Sequence, residues 1–401
     1  MNIVKRLLAA AAALLLLGGC SGQQKLESSQ IPLPPSSQSQ LQEASVSSQE
    51  PAQPETRHGV LVAAGDNLIH DVIYLQAQRR TGGTGYDFAP AYENIAPLVA
   101  DADFAFINQE TILAGAALPL SNYPRFCSPP EVGEEILSLG FNLISTANNH
   151  CFDQGQEGLN ASQSFWDSHP EAAVTGSYAT QDHGDRVPVI TNEEGIRVAL
   201  IAATELTNGL TLPTGSEGGV LLLSQMDTIR EKLAQAREEA DVVVLSLHWG
   251  AEGAFVPSDS QKELARQLAE AGADIILGHH SHVLQGGEWL TTSRGRSYVA
   301  YSLGNFISAQ VGAENMLAGL LRLEFSVTEG QGVELEQVEF IPTVTHYGPG
   351  FSQLTILPLS EYTAEQAASH GVRQYDADFS LDYLQRQLGS LDFGSLEETS
   401  A

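Results

Sequence analysis

Five short stretches of this sequence gather Asp, Glu, Asn and His: Gly65-Asp66-Asn67, Asn108-Gln109-Glu110, Asn148-Asn149-His150, His248-Trp249-Gly250 and Gly278-His279-His280-Ser281-His282. Imidazoles and carboxylates are suitable donors for borderline divalent metals such as Zn, Mn, Fe or Ni, and a set this rich can hold two ions. His280 and His282 give the strongest local signal, because two imidazoles two residues apart beyond a buried strand can point toward one centre. Taken singly, the others have plainer readings: Gly65-Asp66 as a turn or helix cap, and Asn148-Asn149-His150 as a turn. Five such stretches at five strand ends argue for one shared metal centre. Two cations held there would lower the pKa of a water between them and make it a nucleophile at neutral pH.

Such a centre needs elements that bring the stretches together. From Gly59 onward, apolar β-rich runs end abruptly in polar or His-containing residues, with helical segments between them. This is the grammar of an α/β fold. The runs at 60–64, 104–107, 142–145, 198–203, 242–247, 275–277 and 298–302 predict strands, several covered on both faces. Helices are predicted over 227–240, with Ile229, Leu233 and Ala236 on one face, and over 260–271, with Leu264, Leu268 and Ala271. Segments 320–327 and 333–344 alternate around Thr328-Glu329-Gly330-Gln331-Gly332 and predict a hairpin that closes the sheet's edge. Residues 360–401 are more acidic and less periodic, and read as one or two peripheral helices with a frayed end. Every chemical stretch then lies just past the C-terminal end of a strand, the edge at which α/β sheets bind ligands.

The chain carries 49 Asp and Glu against 19 Lys and Arg, a formal charge of −30, with 42% hydrophobic residues. The apolar share supports a sizeable core, and the charge argues against a broad nucleic-acid or anionic-lipid surface. Residues 1–20 open with Lys5 and Arg6, stay apolar over 7–17 and close on Leu17-Gly18-Gly19-Cys20. That shape is a bacterial lipoprotein signal, with Cys20 as the lipidated residue; an ordinary cleaved signal or a short anchor is the alternative. Residues 21–56, dominated by Ser, Gln, Pro and Glu, read as a disordered tether. A folded domain is expected over 57–350, with a peripheral extension over 351–401, at the extracytoplasmic face of the cell membrane. In that oxidising compartment Cys127 and Cys151 either close a disulfide or remain two buried thiols.

From roughly residue 58 to 345 the sequence resembles the CapA (PgsA) family of capsule and poly-γ-glutamate synthesis, within the calcineurin-like metallophosphoesterase superfamily. The resemblance is carried by Gly-Asp-Asn-Leu-Ile-His (65–70), Asn-Gln-Glu-Thr (108–111), Ala-Asn-Asn-His-Cys-Phe-Asp-Gln-Gly (147–155), His-Trp-Gly-Ala-Glu (248–252), Gly-His-His-Ser-His (278–282) and Tyr-Ser-Leu-Gly-Asn-Phe (301–306). It implies a metallophosphatase-like four-layer α/β/β/α sandwich. It also implies that Asp66 binds a first cation, that Glu110 stands where a carboxylate bridges, that Asn149 and His248 serve a second cation, and that His280 and His282 complete both sites. His150 would stabilise or protonate a leaving group, with Asp153 beside it, while Asn108, Glu252, His279 and Asn305 support the ligands or touch substrate. Two departures stand out. Leu68 occupies the position usually held by a His two residues after the first Asp, which leaves His70 as the nearest substitute ligand. Asn108-x-Glu110 replaces the usual bridging Asp. The resemblance implies two divalent ions (Mn, Zn or Fe), a phosphoester or an anionic polymer such as poly-γ-glutamate as substrate, and membrane synthase subunits as partners, with no nucleic acid. The chain then reads as a surface lipoprotein of capsule biosynthesis with a metal-dependent hydrolase site, or as a non-catalytic polymer-binding, anchoring or export subunit.

Overall fold

The computed structural model describes residues 54–394, so the expected signal segment, Cys20 and nearly all of the expected tether lie outside the described residues. Along the chain, the strands of two sheets are β1 (Thr56–Asn67), β2 (Phe104–Gln109), β3 (Leu143–Ser145), β4 (Ala173–Thr175), β5 (Val189–Thr191), β6 (Arg197–Thr204), β7 (Val242–His248), β8 (Ile275–His279), β9 (Leu284–Thr292), β10 (Gly295–Leu303), β11 (Leu317–Thr328), β12 (Gly332–Gly348) and β13 (Ser352–Pro358). Seven form one sheet in the order β13-β12-β11-β1-β2-β3-β4, and six form the other in the order β9-β10-β8-β7-β6-β5.

The period-two alternation of strand side chains decides the layers. Leu61, Phe104, Phe106 and Leu143 of the first sheet meet Leu200, Val244, Ile275 and Leu277 of the second in one apolar layer. Val62, Ile107 and Ile144 point the opposite way, into a layer with Ile73, Val132, Ile136 and Trp166. Those residues come from helices α1 (Asp71–Arg80), α2 (Glu131–Ser138) and α3 (Gly155–Trp166). On the far side, Ile201, Val243, Leu245 and Ile276 pack against Ile229, Leu233, Ala265 and Leu268, from α4 (Met226–Glu239) and α5 (Asp259–Ala271). Each such aliphatic side chain contributes about 1.5–3 kcal/mol over its exposed state. The result is the expected α/β/β/α sandwich. Among the described residues no helix is long and apolar enough to cross a membrane.

Two expectations about the C-terminal part need correcting. The hairpin β11–β12 does not close an edge: β11 pairs antiparallel with β1, from Thr56↔Thr328 to Ala63↔Leu321, and β12 pairs with β13. β13 is the edge, and its inward alternation of Leu354, Ile356 and Pro358 is too short to stand out in the sequence. A boundary at residue 350 would therefore cut between paired strands. Beyond it lie α6 (Ala364–Ser369) and α7 (Leu381–Leu388), and Val372, Phe379 and Leu384 are fully buried in the same layer as α1 and α2. Of the acidic residues that suggested a peripheral segment, Glu361, Glu365, Asp378, Asp382 and Asp392 are exposed.

Candidate metal centre

Strand register assembles the centre. Asp66, Asn108 and Ser145 form a row across β1, β2 and β3, and Thr204, His248 and His279 form a row across β6, β7 and β8. Each row stands at the C-terminal ends of parallel strands. A register shift between Ala63 and Asp66 is decisive. Without it Asp66 would share the outward face of Val62 and Ala64, since a one-residue slip exchanges the faces of a strand. Here Asp66 turns inward beside Asn108.

Close backbone approach joins the two rows. A Cβ on Gly65 would lie 2.0 Å from the Gly304 carbonyl oxygen. With no side chain at Gly65, the Asp66 N–H donates to Gly304 O at 2.9 Å and the Leu68 N–H to Ile307 O at 3.0 Å. The segment that carries Asn305 is thereby fastened to the end of β1.

The side chains converge from both rows. Asp66 Oδ1 accepts from Asn108 Nδ2 at 2.8 Å, and His279 Nδ1 lies 3.2 Å from the same oxygen. His282 Nδ1 is shared between Asp66 Oδ2 at 3.1 Å and Asn305 Oδ1 at 2.9 Å, while its Nε2 stands 3.7 Å from Glu110 Oε1. His248 Nε2 is 2.9 Å from Asn149 Oδ1 and 3.9 Å from Glu110 Oε1. The His280 ring lies 4.7 Å from that of His248 and 6.0 Å from that of His282, centre to centre. His280 and His282 both adopt left-handed backbone, φ +91° and +57°, at a cost of order 1–3 kcal/mol each. That backbone is what lets side chains two residues apart face a common point.

Two donor groups result, each with its atoms within 4.8 Å of one another: Asp66, Glu110 and His282, and Glu252, His280 and His282. Glu252 is exposed, whereas the others are buried. Burial would raise the Asp66 pKa, but His279 and His282 outweigh it and hold that carboxyl well below the usual range. Burial also works to strip the proton from His282, yet the Glu110 and Asp66 carboxylates raise its pKa to about 9. Burial pushes the Glu110 pKa well above the usual carboxylate range, against the pull of His282 and with the help of Asp66. Burial and the neighbouring imidazoles lower the pKa values of His248 and His280.

The donor set fits divalent cations. Both carboxylate oxygens of Glu110, Oδ1 of Asn108, Nε2 of His279 and Nδ1 of His280 are buried without a hydrogen-bond partner. An unmet buried polar atom costs about 1–3 kcal/mol, and several side by side in one site are the signature of a missing shared partner.

Beside the donors, His150 Nδ1 meets Asp153 Oδ2 at 2.7 Å, the same oxygen accepts from the Phe126 N–H at 2.7 Å, and the His150 ring stands edge-on to Phe126 at 4.7 Å. His70 is not brought into either donor group. Its Nδ1 lies 3.2 Å from Leu68 O and from the Ala309 N–H, its ring packs edge-on against Phe126, and burial lowers its pKa to about 4. His279 stacks on Phe106 at 5.5 Å and Asn305 Nδ2 donates to Ser308 and Gln310, so both brace the ligand positions. Cys127 and Cys151 are buried free thiols, and burial pushes both pKa values up, that of Cys127 to about 11.

Two further residues belong to the centre. Asn208, also left-handed at φ +51°, accepts from Asn149 Nδ2 at 3.2 Å, and Glu205 accepts from the Gly250 N–H at 2.8 Å while its charge acts on His280. The available signal was a sixth strand end, where the run 198–203 stops at Thr204-Glu205.

A family profile described as bacterial capsule synthesis protein PGA_cap matches residues 60–310. The PGA biosynthesis protein CapA of Bacillus subtilis (strain 168) is 30% identical over 173 residues, 43% of this chain and 44% of the relative. The capsule biosynthesis protein CapA of Bacillus anthracis is 31% identical over 185 residues, 45% of this chain and 43% of the relative. In both cases less than half of the relative's length is spanned. Among solved structures, the NAD nucleotidase NadN of Haemophilus influenzae aligns over 84% of this chain and 60% of its own, with TM-score 0.42 and 12% identity. A putative 5'-nucleotidase from Staphylococcus aureus, in complex with alpha-ketoglutarate, aligns over 83% of this chain and 58% of its own, with TM-score 0.42 and 14% identity.

Proposed function

The chain belongs to the bacterial capsule synthesis family PGA_cap, and from that premise we propose that it is a surface lipoprotein of capsule or poly-γ-glutamate biosynthesis with a metal-dependent hydrolase site. The observation that carries the hydrolase part is the convergence of buried Asp66, Glu110 and His282, with both Glu110 oxygens unpartnered. Asp66, Glu110, Asn149, His248, His280 and His282, with Glu252 from the second donor group, would hold two divalent cations, and Mn, Zn and Fe all suit this mixed nitrogen and oxygen set. Bound there, the ions supply Lewis-acid charge that activates water and polarises a phosphoryl or carbonyl group.

The chain's own residues do the remaining work. Asp153 fixes the His150 ring through Nδ1, which leaves Nε2 as the atom that holds or gives a proton to a departing group. Asn108 and Asn305 orient Asp66 and His282. The substrate is a phosphoester or an anionic polymer such as poly-γ-glutamate. A chain of charge −30 handles such a polymer best where bound cations reverse the local field. Anchoring through Cys20 would hold the domain at the extracytoplasmic face of the membrane, beside membrane synthase subunits. A second reading, a non-catalytic polymer-binding, anchoring or export subunit, is favoured by one observation: His70 stands outside both donor groups, and Leu68 is turned into the core.

Elemental analysis of the purified protein and of a His280→Ala, His282→Ala variant tests the reading. About two equivalents of transition metal in the wild type, lost in the variant and accompanied by cleavage of a phosphoester or a γ-glutamyl polymer, is the expected result. Metal without cleavage favours the second reading. No metal after reconstitution with Mn, Zn and Fe overturns the hydrolase.

A further inference from the structure

Away from the donor groups, beside the edge strand β4 and under β6, lies a cavity of about 440 Å³ lined by Arg186, Lys232, His169 and His183. We infer that it is a second binding site, for a short chain bearing carboxylate groups on aliphatic stems.

Charge is the first argument. In a sequence with 19 Lys and Arg against 49 Asp and Glu, Arg186 and Lys232 bring two cations to one cavity wall. Lys232 Nζ donates to the Arg186 carbonyl oxygen at 3.2 Å. Among the described residues neither Lys232 nor the Arg186 guanidinium has a carboxylate within ion-pair distance, although the charge of Asp185 acts on Lys232. The acid in the wall, Asp167, is already engaged by His183 Nε2 at 3.4 Å, and His169 Nδ1 by Glu171 at 3.0 Å. Lys232 is half-buried, and burial lowers its pKa, so an incoming anion gains more from it than from a fully solvated lysine.

The second argument is the wall. Trp166, 4% exposed, lines the cavity, Val174, Leu200 and Ala202 add apolar wall between the polar groups, and the volume lies within the range of small-ligand sites, roughly 300–1,000 Å³. An inorganic anion would leave that wall unused, whereas a side chain of two methylenes and a carboxylate would use both. Thr146, Ser162 and Ser177 line the cavity and also a void of about 10 Å³ that Glu110 and Asn148 line as well. A void of that size holds about one water, so the second site backs directly onto the metal centre.

The preference for anions rests on the cavity alone; the choice of a glutamyl probe rests on the proposed polymer role. Calorimetric titration of the purified protein with tri-γ-glutamate, at low and high salt, tests it. In the His280→Ala, His282→Ala background, which removes the metal centre's own hold on a glutamyl chain, one equivalent should bind, at least about tenfold more weakly when Arg186→Gln and Lys232→Gln are added and more weakly at high salt, as expected for charge-assisted contacts. Affinity should stay within about twofold in His280→Ala, His282→Ala, which separates this result from failure of the hydrolase reading. Arg186 is exposed, so Arg186→Gln alone provides a folded variant with a smaller loss in the same direction. Unchanged affinity in both cavity variants, binding lost in the double His variant, or binding of inorganic phosphate without tri-γ-glutamate would each overturn the inference.

Discussion

His150 and Asp153 meet at 2.7 Å, Nδ1 to Oδ2, across the turn that leads into α3, and the same oxygen is tied to the Phe126 N–H. One carboxylate thus sets both the tautomer of the imidazole and the position of the segment that packs against its ring. That is the arrangement the proposed acid–base role of His150 requires.

Asp153→Asn keeps the shape and removes the charge. With an alkyl phosphate, whose leaving oxygen needs a proton, kcat should fall about 10–100-fold. With p-nitrophenyl phosphate, whose leaving group departs unprotonated, the loss should be several times smaller. Steady-state rates on the two esters decide the matter, and equal losses would mean that Asp153 acts only by holding the turn together.

Stability should depend on pH through His370. Its Nε2–H donates to Thr345 O and its Nδ1 accepts from the Val372 N–H, both at 2.9 Å, at 2% exposure. Burial lowers its pKa to about 4, against about 6.5 in an unfolded chain. Between those values the unfolded chain binds the extra proton. The contribution is therefore complete above about pH 6.5 and is lost as pH falls toward 4, at a cost of about 2–3 kcal/mol. Urea denaturation across that window should show a shallower pH dependence in His370→Gln, and identical slopes in the two proteins would refute the assignment.

The cysteines give a direct chemical check. Iodoacetamide should leave Cys127 and Cys151 unmodified in the native protein, because both are buried and burial disfavours the thiolate. In guanidinium, without reductant, both should be alkylated. A peptide map that finds the two joined would contradict the structure.

Much of the architecture was legible in the sequence, since fully buried parallel strands leave unbroken apolar runs: the run 242–247 lies within β7, which ends at His248, and 275–277 lies within β8, which ends at His279. The strand ends named the donors for the same reason. Three things were not legible. The register shift before Asp66 is a relation between two strands and leaves no mark on either one alone. The left-handed backbone of His280 and His282 carries none of the usual glycine or asparagine signal. The cavity of Arg186, Lys232 and Trp166 joins residues from α3, α4 and the segment before β5, whose spacing follows no period.

The pairing of β1 with β11 sets the order in which the molecule can assemble. Thr56 lies opposite Thr328, and Asp66 is fastened to Gly304, so the first residue of the donor set waits for strands about 240–270 residues downstream. Contacts this distant in sequence form slowly, because their loop-closure entropy precedes any reward. A nascent or truncated chain that stops short of β11 holds the histidines but has no partner for that edge of β1. Substitutions in the β11–β12 hairpin, far from any ligand, should therefore appear first as delayed acquisition of metal during refolding, with the affinity of the finished protein little changed.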